Sequence, residues 1–212
     1  YCFSLYNGQR QAGTQELEDS GIQGGGSAFL ALNGSTMLLN GCLAHRSSGP
    51  GFHANNTSSI DCSFSDSRDC LGGGVAAVNN SSIRGESVFI RQPGVVGIYA
   101  YNNSSIDAPY SCSLYAGVDG PTTVNTLEPF GDGVTVTKNS TIDADGLTAE
   151  RPAGNNVVCD YNSSFSAVVP PTIKTSADPS EGYYSVVSLN GGKVVIDDIS
   201  ADTVDELTIA TG

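Results

Sequence analysis

The 212-residue chain contains no tryptophan, one methionine and only nine lysines and arginines, set against 22 aspartates and glutamates. Nucleic acid is therefore a poor partner, because phosphate backbones are held by clustered Lys and Arg. The net charge of −13 also opposes docking on anionic lipid headgroups. Its ordinary consequence is solubility; cation binding or a saline setting are the alternative readings. No run approaches the roughly 20 apolar residues of a membrane helix, and no membrane insertion is expected. No stretch sustains a 3.6-residue apolar period, so helices are not expected either. The start at Tyr1 lacks a Met, a basic n-region and an apolar h-region, from which a mature processed protein or an excised fragment is expected.

Gly, Ser, Asn and Thr are abundant, and this composition points to an all-β chain with many turns. Six cysteines, Cys2, Cys42, Cys62, Cys70, Cys112 and Cys159, show no C-x-x-C metal-type pairs. An even count without such pairs suits disulfides in an oxidising compartment, although six cysteines allow 15 pairings and buried thiols are the alternative.

A repeat organises the rest. LNGSTM, NNTSSI, VNNSSI, YNNSSI, KNSTI, YNSSF and LNGGKV each close on an apolar anchor: Met37, Ile60, Ile83, Ile106, Ile142, Phe165 and Val194. The spacings are 23, 23, 23, 36, 23 and 29 residues, a 23-residue unit with two insertions. Eight residues before each anchor stand Phe29, Phe52, Val75, Ile98, Val134, Val157 and Val186, all apolar. Six before it stand Ala31, Ala54, Ala77, Ala100, Val136, Cys159 and Ser188, all small. Alternation at −8 and −6, then at 0 and +2, describes two strands with inward period-2 faces separated by a tight turn.

Such a unit cannot bury its own apolar face, but stacked coils can, each strand pairing in parallel with its copy about 4.8 Å away. Position −3 (Gly34, Thr57, Asn80, Asn103, Asn139, Asn162, Gly191) is expected to hold a left-handed turn residue, since Gly and Asn tolerate positive φ. Position −4, which also carries Lys138 and Tyr161, is expected to face solvent. The expected architecture is all-β: a single right-handed parallel β-helix of about seven coils with two loop insertions. Residues 1–25 are expected to form an N-terminal cap segment and residues 26–212 the β-helix domain. Handedness follows from the rule for parallel crossovers. Extending the register puts Ile209 at −8 and Thr211 at −6, the start of an eighth coil. An open end of this kind suggests either a piece of a longer solenoid or subunits stacked head to tail.

GGGVAAVNNSSI and VVGIYAYNNSSI resemble repeats of the right-handed parallel β-helix superfamily, which includes pectin-degrading enzymes, phage tailspikes and autotransporter passenger domains. The likeness to passenger-type and surface-adhesin repeats covers residues 26–212 and is specific for fold, not function. The NTD, DD, GHG and RIK series of the pectin hydrolases is missing, and no G-x-S-x-G is present. Asp143 and Asp145 in IDADG read as a turn, because the other ligands of a calcium loop are missing. His45 and His53 stand in no metal-type spacing, and His53, at the outward −7 position, is expected to be solvated. No catalytic, cofactor or metal constellation is legible.

Sequons occur at Asn33, Asn55, Asn56, Asn79, Asn80, Asn102, Asn103, Asn139 and Asn162, each an N-glycosylation acceptor or simply good turn chemistry. At +1, Arg84 falls between Asp61 and Asp107 on consecutive coils, which suggests a surface salt-bridge ladder worth little energy. The insertions, one from about Asp107 to Asp132 with Tyr110, Tyr115 and Phe130 and one in VVPPTIKTSADPSEGYY, are the candidate contact loops. The expected role is an extracellular, cell-surface structural or adhesive protein, one form of which is a glycosylated subunit of a head-to-tail stacked filament. Its expected partners are other copies of itself, other surface components or carbohydrate. A polysaccharide-degrading β-helix protein is the second reading. Ice binding through Thr36, Ser59, Ser82, Ser105, Thr141 and Ser164 is the third.

Overall fold

The computed structural model describes residues 3–5, 26–116, 131–150, 152–169, 171–174, 186–196 and 209–211. Among the described residues all strand pairings are parallel and fall into three sheets, each strand pairing with its equivalents in the neighbouring coils. The chain is a single parallel β-helix of about seven coils. The first sheet holds eight strands: Phe29–Leu32, Pro50–Asn55, Gly73–Val78, Ile98–Tyr101, Val134–Thr137, Val157–Cys159, Val186–Ser188 and Ile209–Thr211. The second holds Thr36–Leu38, Ser59–Asp61, Ser82–Arg84, Ser105–Asp107, Thr141–Asp143, Ser164–Ala167 and Lys193–Ile196. The third holds Phe3–Leu5, Leu43–His45, Asp66–Arg68, Phe89–Arg91, Cys112–Leu114, Thr148–Glu150 and Thr172–Lys174.

The anchor column forms without a slip: Met37 pairs Ile60, Ile60 pairs Ile83, Ile83 pairs Ile106, Ile106 pairs Ile142, Ile142 pairs Phe165 and Phe165 pairs Val194. The −8 column is equally regular and runs on to Val186 and Ile209, the eighth strand that the spacing predicts. One-residue register is enforced because a slip would turn every inward side chain outward. Phe3 pairs Leu43 and Leu5 pairs His45, so Phe3–Leu5 is the first strand of the third sheet. Anchors, −8 residues and small −6 residues form one continuous core. Each fully buried Ile or Val contributes roughly 1.5–3 kcal/mol.

The interior is narrow where the first and third sheets face each other. A Cβ on Gly97 would stand 1.8 Å from Ser113 Oγ and 2.4 Å from the Gly133 carbonyl oxygen, so only glycine fits. A second ladder is built from polar groups. Ser58, Ser81, Ser104 and Ser140 each donate a backbone N–H to the serine hydroxyl one coil on, at 3.1–3.2 Å. Those hydroxyls are buried, and the ladder satisfies donors that the turn removes from the sheets. The sequon pattern is thus a by-product of construction: its Ser at −2 lines the inside while its Asn at −4 makes the turn.

That turn differs from the expectation in one respect. All seven residues at −3 have positive φ, but so do all seven at −4, including Lys138 (52°) and Tyr161 (47°). Two consecutive left-handed residues reverse the chain more sharply than one. Asn suits both sites because its short side chain hydrogen-bonds locally. The extra residues of both insertions enter at one corner, between the third and first sheets. The larger one starts after Leu114, not at Asp107, because 105–107 and 112–114 are ordinary strands of their coil. Likewise Thr172–Lys174 in the smaller one is a regular strand of the third sheet.

Cys42, Cys62, Cys70, Cys112 and Cys159 are thiols, and no disulfide joins any two of them. None of the expected disulfides forms among these five, which occupy five different columns: +5, +2, +10, +6 and −6. Cys2 lies outside the described residues. Burial, then the nearby Asp61 carboxylate, pushes the Cys62 thiol pKa well up, so it behaves as a small core hydrophobe.

Candidate binding face

The outer surface of the second sheet is a long, regular, solvent-facing surface, with no outward residue from Thr36 to Ser166 buried. Inward residues 0 and +2 alternate with outward residues −1 and +1. Outward at −1 runs a line of hydroxyls, Thr36, Ser59, Ser82, Ser105, Thr141 and Ser164, in one-residue register. Thr36 Oγ1 and Ser59 Oγ are 3.0 Å apart. Beside it at +1 run Leu38, Asp61, Arg84, Asp107, Asp143 and Ser166. Together they border a shallow trough of about 550 Å³.

The charges along this trough are arranged as the register predicts, with Arg84 beside both Asp61 and Asp107. The ion pair is nevertheless local: Arg84 Nη2 lies 3.5 Å from Glu86 Oε2 in its own coil. Asp61 Oδ1 instead accepts from the backbone N–H and hydroxyl of Ser63 at 3.1 and 2.8 Å. The expected cross-coil salt-bridge ladder is not formed: Arg84 and Asp61 each take a partner two residues further along their own coil.

On the −4 side of the trough stands an asparagine ladder: Asn56 Nδ2 donates to Asn33 Oδ1 at 3.4 Å, and Asn102 Nδ2 to Asn79 Oδ1 at 2.8 Å. Asn79 Nδ2 donates to Asn55 Oδ1 at 3.0 Å, and Asn55 is buried. Glycosylating Asn79 or Asn102 would remove a donor from this ladder. The −3 residues Asn80, Asn103, Asn139 and Asn162 are exposed. At the turn that leaves the second sheet, beyond the residues that line the trough, the +4 residues Gly41, Phe64, Ser87, Tyr110 and Gly146 all have positive φ, from 55° to 68°. Phe64 and Tyr110 follow Asp61 and Asp107 by three residues and are 63% and 59% exposed. Tyr110 is thus a turn residue of a regular coil, between the strands Ser105–Asp107 and Cys112–Leu114. Tyr115 is a turn residue at the opposite corner, its N–H donating to the Glu150 carbonyl at 3.0 Å. Phe130 lies outside the described residues.

The histidines sit elsewhere. His45 Nε2 lies 3.1 Å from Asp69 Oδ2. His53, expected to be solvated, is 2% exposed. Outward on the first sheet does not mean bare: His53, Ala76, Val78, Tyr99, Tyr101 and Thr135 are all buried there, several in an apolar cluster separate from the core. His53 Nδ1 lies 3.1 Å from Ser27 Oγ, and burial lowers its pKa to about 4. Asp132, at the edge of the same sheet, has its pKa raised to about 6 by burial, opposed by hydrogen bonds from Asn155 and Thr135. Among the described residues no three His, Cys, Asp or Glu side chains are grouped to hold a metal ion. Asp145, the IDADG carboxylate, is used by the turn, accepting the N–H groups of Val168 and Val169.

The hydroxyl line was visible in the repeat; the exposed aromatics at +4 were not, because that column varies too much to stand out as a motif. Comparison with known proteins finds no matching family model, no matching curated protein and no matching solved structure.

Proposed function

We propose that this chain is an extracellular structural or adhesive protein, a β-helical rod that holds a repeated polar surface toward a partner. The observation that carries this reading is the outer face of the second sheet: six coils in one-residue register line up hydroxyls beside carboxylates along an open trough. A shallow, open, periodic surface suits many weak contacts with an extended partner, whereas catalysis on a small substrate relies on a concave, water-excluding site. The likeness of GGGVAAVNNSSI and VVGIYAYNNSSI to surface-adhesin repeats supports the same reading. Partners under this proposal are surface components, with further copies of the chain stacked end to end as a second contact.

The test is retention of the purified chain on insoluble cell-surface material, with the supernatant assayed for released sugars. Retention without release supports the proposal. Release of oligosaccharides at a rate that scales with protein concentration sinks it in favour of an enzyme. Negative-stain electron microscopy of the same preparation separates single rods from filaments of uniform width.

A further inference from the structure

We infer that the chain cuts its own backbone between Gly26 and Ser27, with the Ser27 hydroxyl as nucleophile and His53 as its base. This activity is independent of the adhesive reading.

Three observations support it. The first is a serine–histidine pair. Ser27 Oγ lies 3.1 Å from His53 Nδ1, and the two residues are 7% and 2% exposed. A base within this reach takes the hydroxyl proton as the oxygen attacks. His53 Nε2 finds no hydrogen-bond partner among the described residues. No donor there holds Nε2 as an acceptor, so the ring is free to carry its proton on Nε2 and leave Nδ1 as the basic nitrogen. Burial lowers the His53 pKa to about 4, which keeps the ring neutral at neutral pH. The same burial makes the imidazolium costly, so the cut is slow.

The second is how the bond is held. The Gly49 N–H donates to the Gly26 carbonyl oxygen at 3.3 Å, and the Ala28 N–H donates to the Pro50 carbonyl at 3.1 Å. The Gly26–Ser27 bond is thus anchored on both sides to the coil that carries His53. The Gly49 N–H meets the oxygen on which negative charge develops when the carbonyl is attacked. The same hydrogen bond recurs one coil on, from Gly72 to Gly49, but there the next residue is Pro50, which has no hydroxyl.

The third is access. Ser27 and His53 are buried, while Gly26 is exposed and has no side chain to crowd its carbonyl. Ser27 Oγ adds to the Gly26 carbonyl carbon as its proton passes to His53 Nδ1. The C–N bond then breaks, and His53 returns the proton to the departing Ser27 nitrogen, which leaves an ester in place of the amide. Water hydrolyses that ester to a Gly26 carboxylate and restores the Ser27 hydroxyl, now on a free amino terminus. One water is consumed for one peptide bond. Phe3–Leu5 remains paired with Leu43–His45, so the severed piece stays docked on the third sheet until the fold is denatured.

The test refolds the full chain from denaturant at neutral pH and follows it by intact-mass spectrometry under denaturing conditions. Two fragments, residues 1–26 and 27–212, are expected, with masses that sum to the intact chain plus one water. Their rate of appearance is expected to be first order and independent of protein concentration. Hydroxylamine, which attacks esters, is expected to speed the cut and leave a hydroxamate on Gly26. Ser27→Ala is expected to abolish the cut, and Ser27→Cys to retain it through a thioester with a native melting transition. His53→Gln is expected to slow it about a hundredfold, and added imidazole to restore part of the rate to His53→Ala. A chain that stays intact in hydroxylamine overturns the proposal. So does a cut that Ser27→Ala retains, or one whose rate rises with protein concentration, the mark of a second enzyme. A cut as fast in His53→Gln as in the wild type overturns the assignment of the base.

Discussion

The outer faces of the first and second sheets are built by the same coils, with the same strand alternation and the same register, yet they meet opposite fates. On the first sheet the outward residues of the central coils are His53, Asn55, Ala76, Val78, Tyr99 and Tyr101, and all are buried. Lys138 Nζ sits 4.5 Å from the Tyr101 ring centroid and also donates to its hydroxyl. On the second sheet the outward residues of the same coils are Ser59, Asp61, Ser82, Arg84, Ser105 and Asp107, none of them buried. Solenoid geometry determines which side chains point out of the coil. Whether an outward side chain meets water depends on what else lies over that sheet.

The largest effect that sharpens this contrast is a pair of outward substitutions in one coil. Tyr99→Ala on the first sheet is expected to cost about 3–5 kcal/mol, as for deletion of a buried aromatic. Ser105→Ala on the second is expected to fall within about 0.5 kcal/mol of zero. Urea denaturation of the two variants measures both. Equal effects would mean that the two faces are energetically alike.

The next effect concerns pH. His53 has a lowered pKa, so its contribution is complete above its ordinary value of 6.5 and is lost as pH falls toward about 4. Asp132 has a raised pKa, so its contribution is complete below its ordinary value of 3.8 and is lost as pH rises through about 6. Each amounts to about 3 kcal/mol across its window, with opposite signs. Wild-type stability is therefore expected to change little between pH 4 and 6.5. His53→Gln should make the protein gain stability on acidification over that range, and Asp132→Asn should make it lose stability. Thermal melts at half-unit pH steps check the signs.

Smaller again are the turns on the exposed side. Phe64→Gly is expected to raise stability by about 1 kcal/mol by removing left-handed strain. Asn80→Ala is expected to lower it by about the same amount, because alanine lacks the local hydrogen bonds that let Asn accept positive φ. The smallest effect is chemical rather than energetic. Any N-glycan added in a secretory host is expected on the exposed −3 residues Asn80, Asn103, Asn139 and Asn162, and not on Asn79 or Asn102 of the ladder. Peptide mass mapping after enzymatic deglycosylation reads this out.

Most of the fold was legible in the repeat because a solenoid turns sequence period into spatial stacking. The anchor and −8 columns pair residue for residue, and even Ile209 and Thr211 stand where extrapolation puts them. The site was legible only in part. The hydroxyl line follows from period-2 alternation, but Phe64 had no signal, since one aromatic among Gly and Ser at a turn column is not a pattern. Tyr110 was singled out for a loop it does not belong to, because the length of an insertion does not say at which corner the extra residues enter. The disulfide expectation failed for a related reason: an even count of cysteines does not say where in the coil each one stands.

What this sequence determined by itself is what recurs: the 23-residue coil, the inward columns, the register and the left-handed turn residue at −3. Each of these is set by local sterics and by burial repeated once per coil. Only the tertiary structure decided what happens outside the coil: that His53 is dry while Asp107 is wet, that Arg84 turns to Glu86, and that Tyr110 lies against Gly146. Those outcomes depend on which surfaces lie over or beside one another, and a column of outward residues carries no record of that.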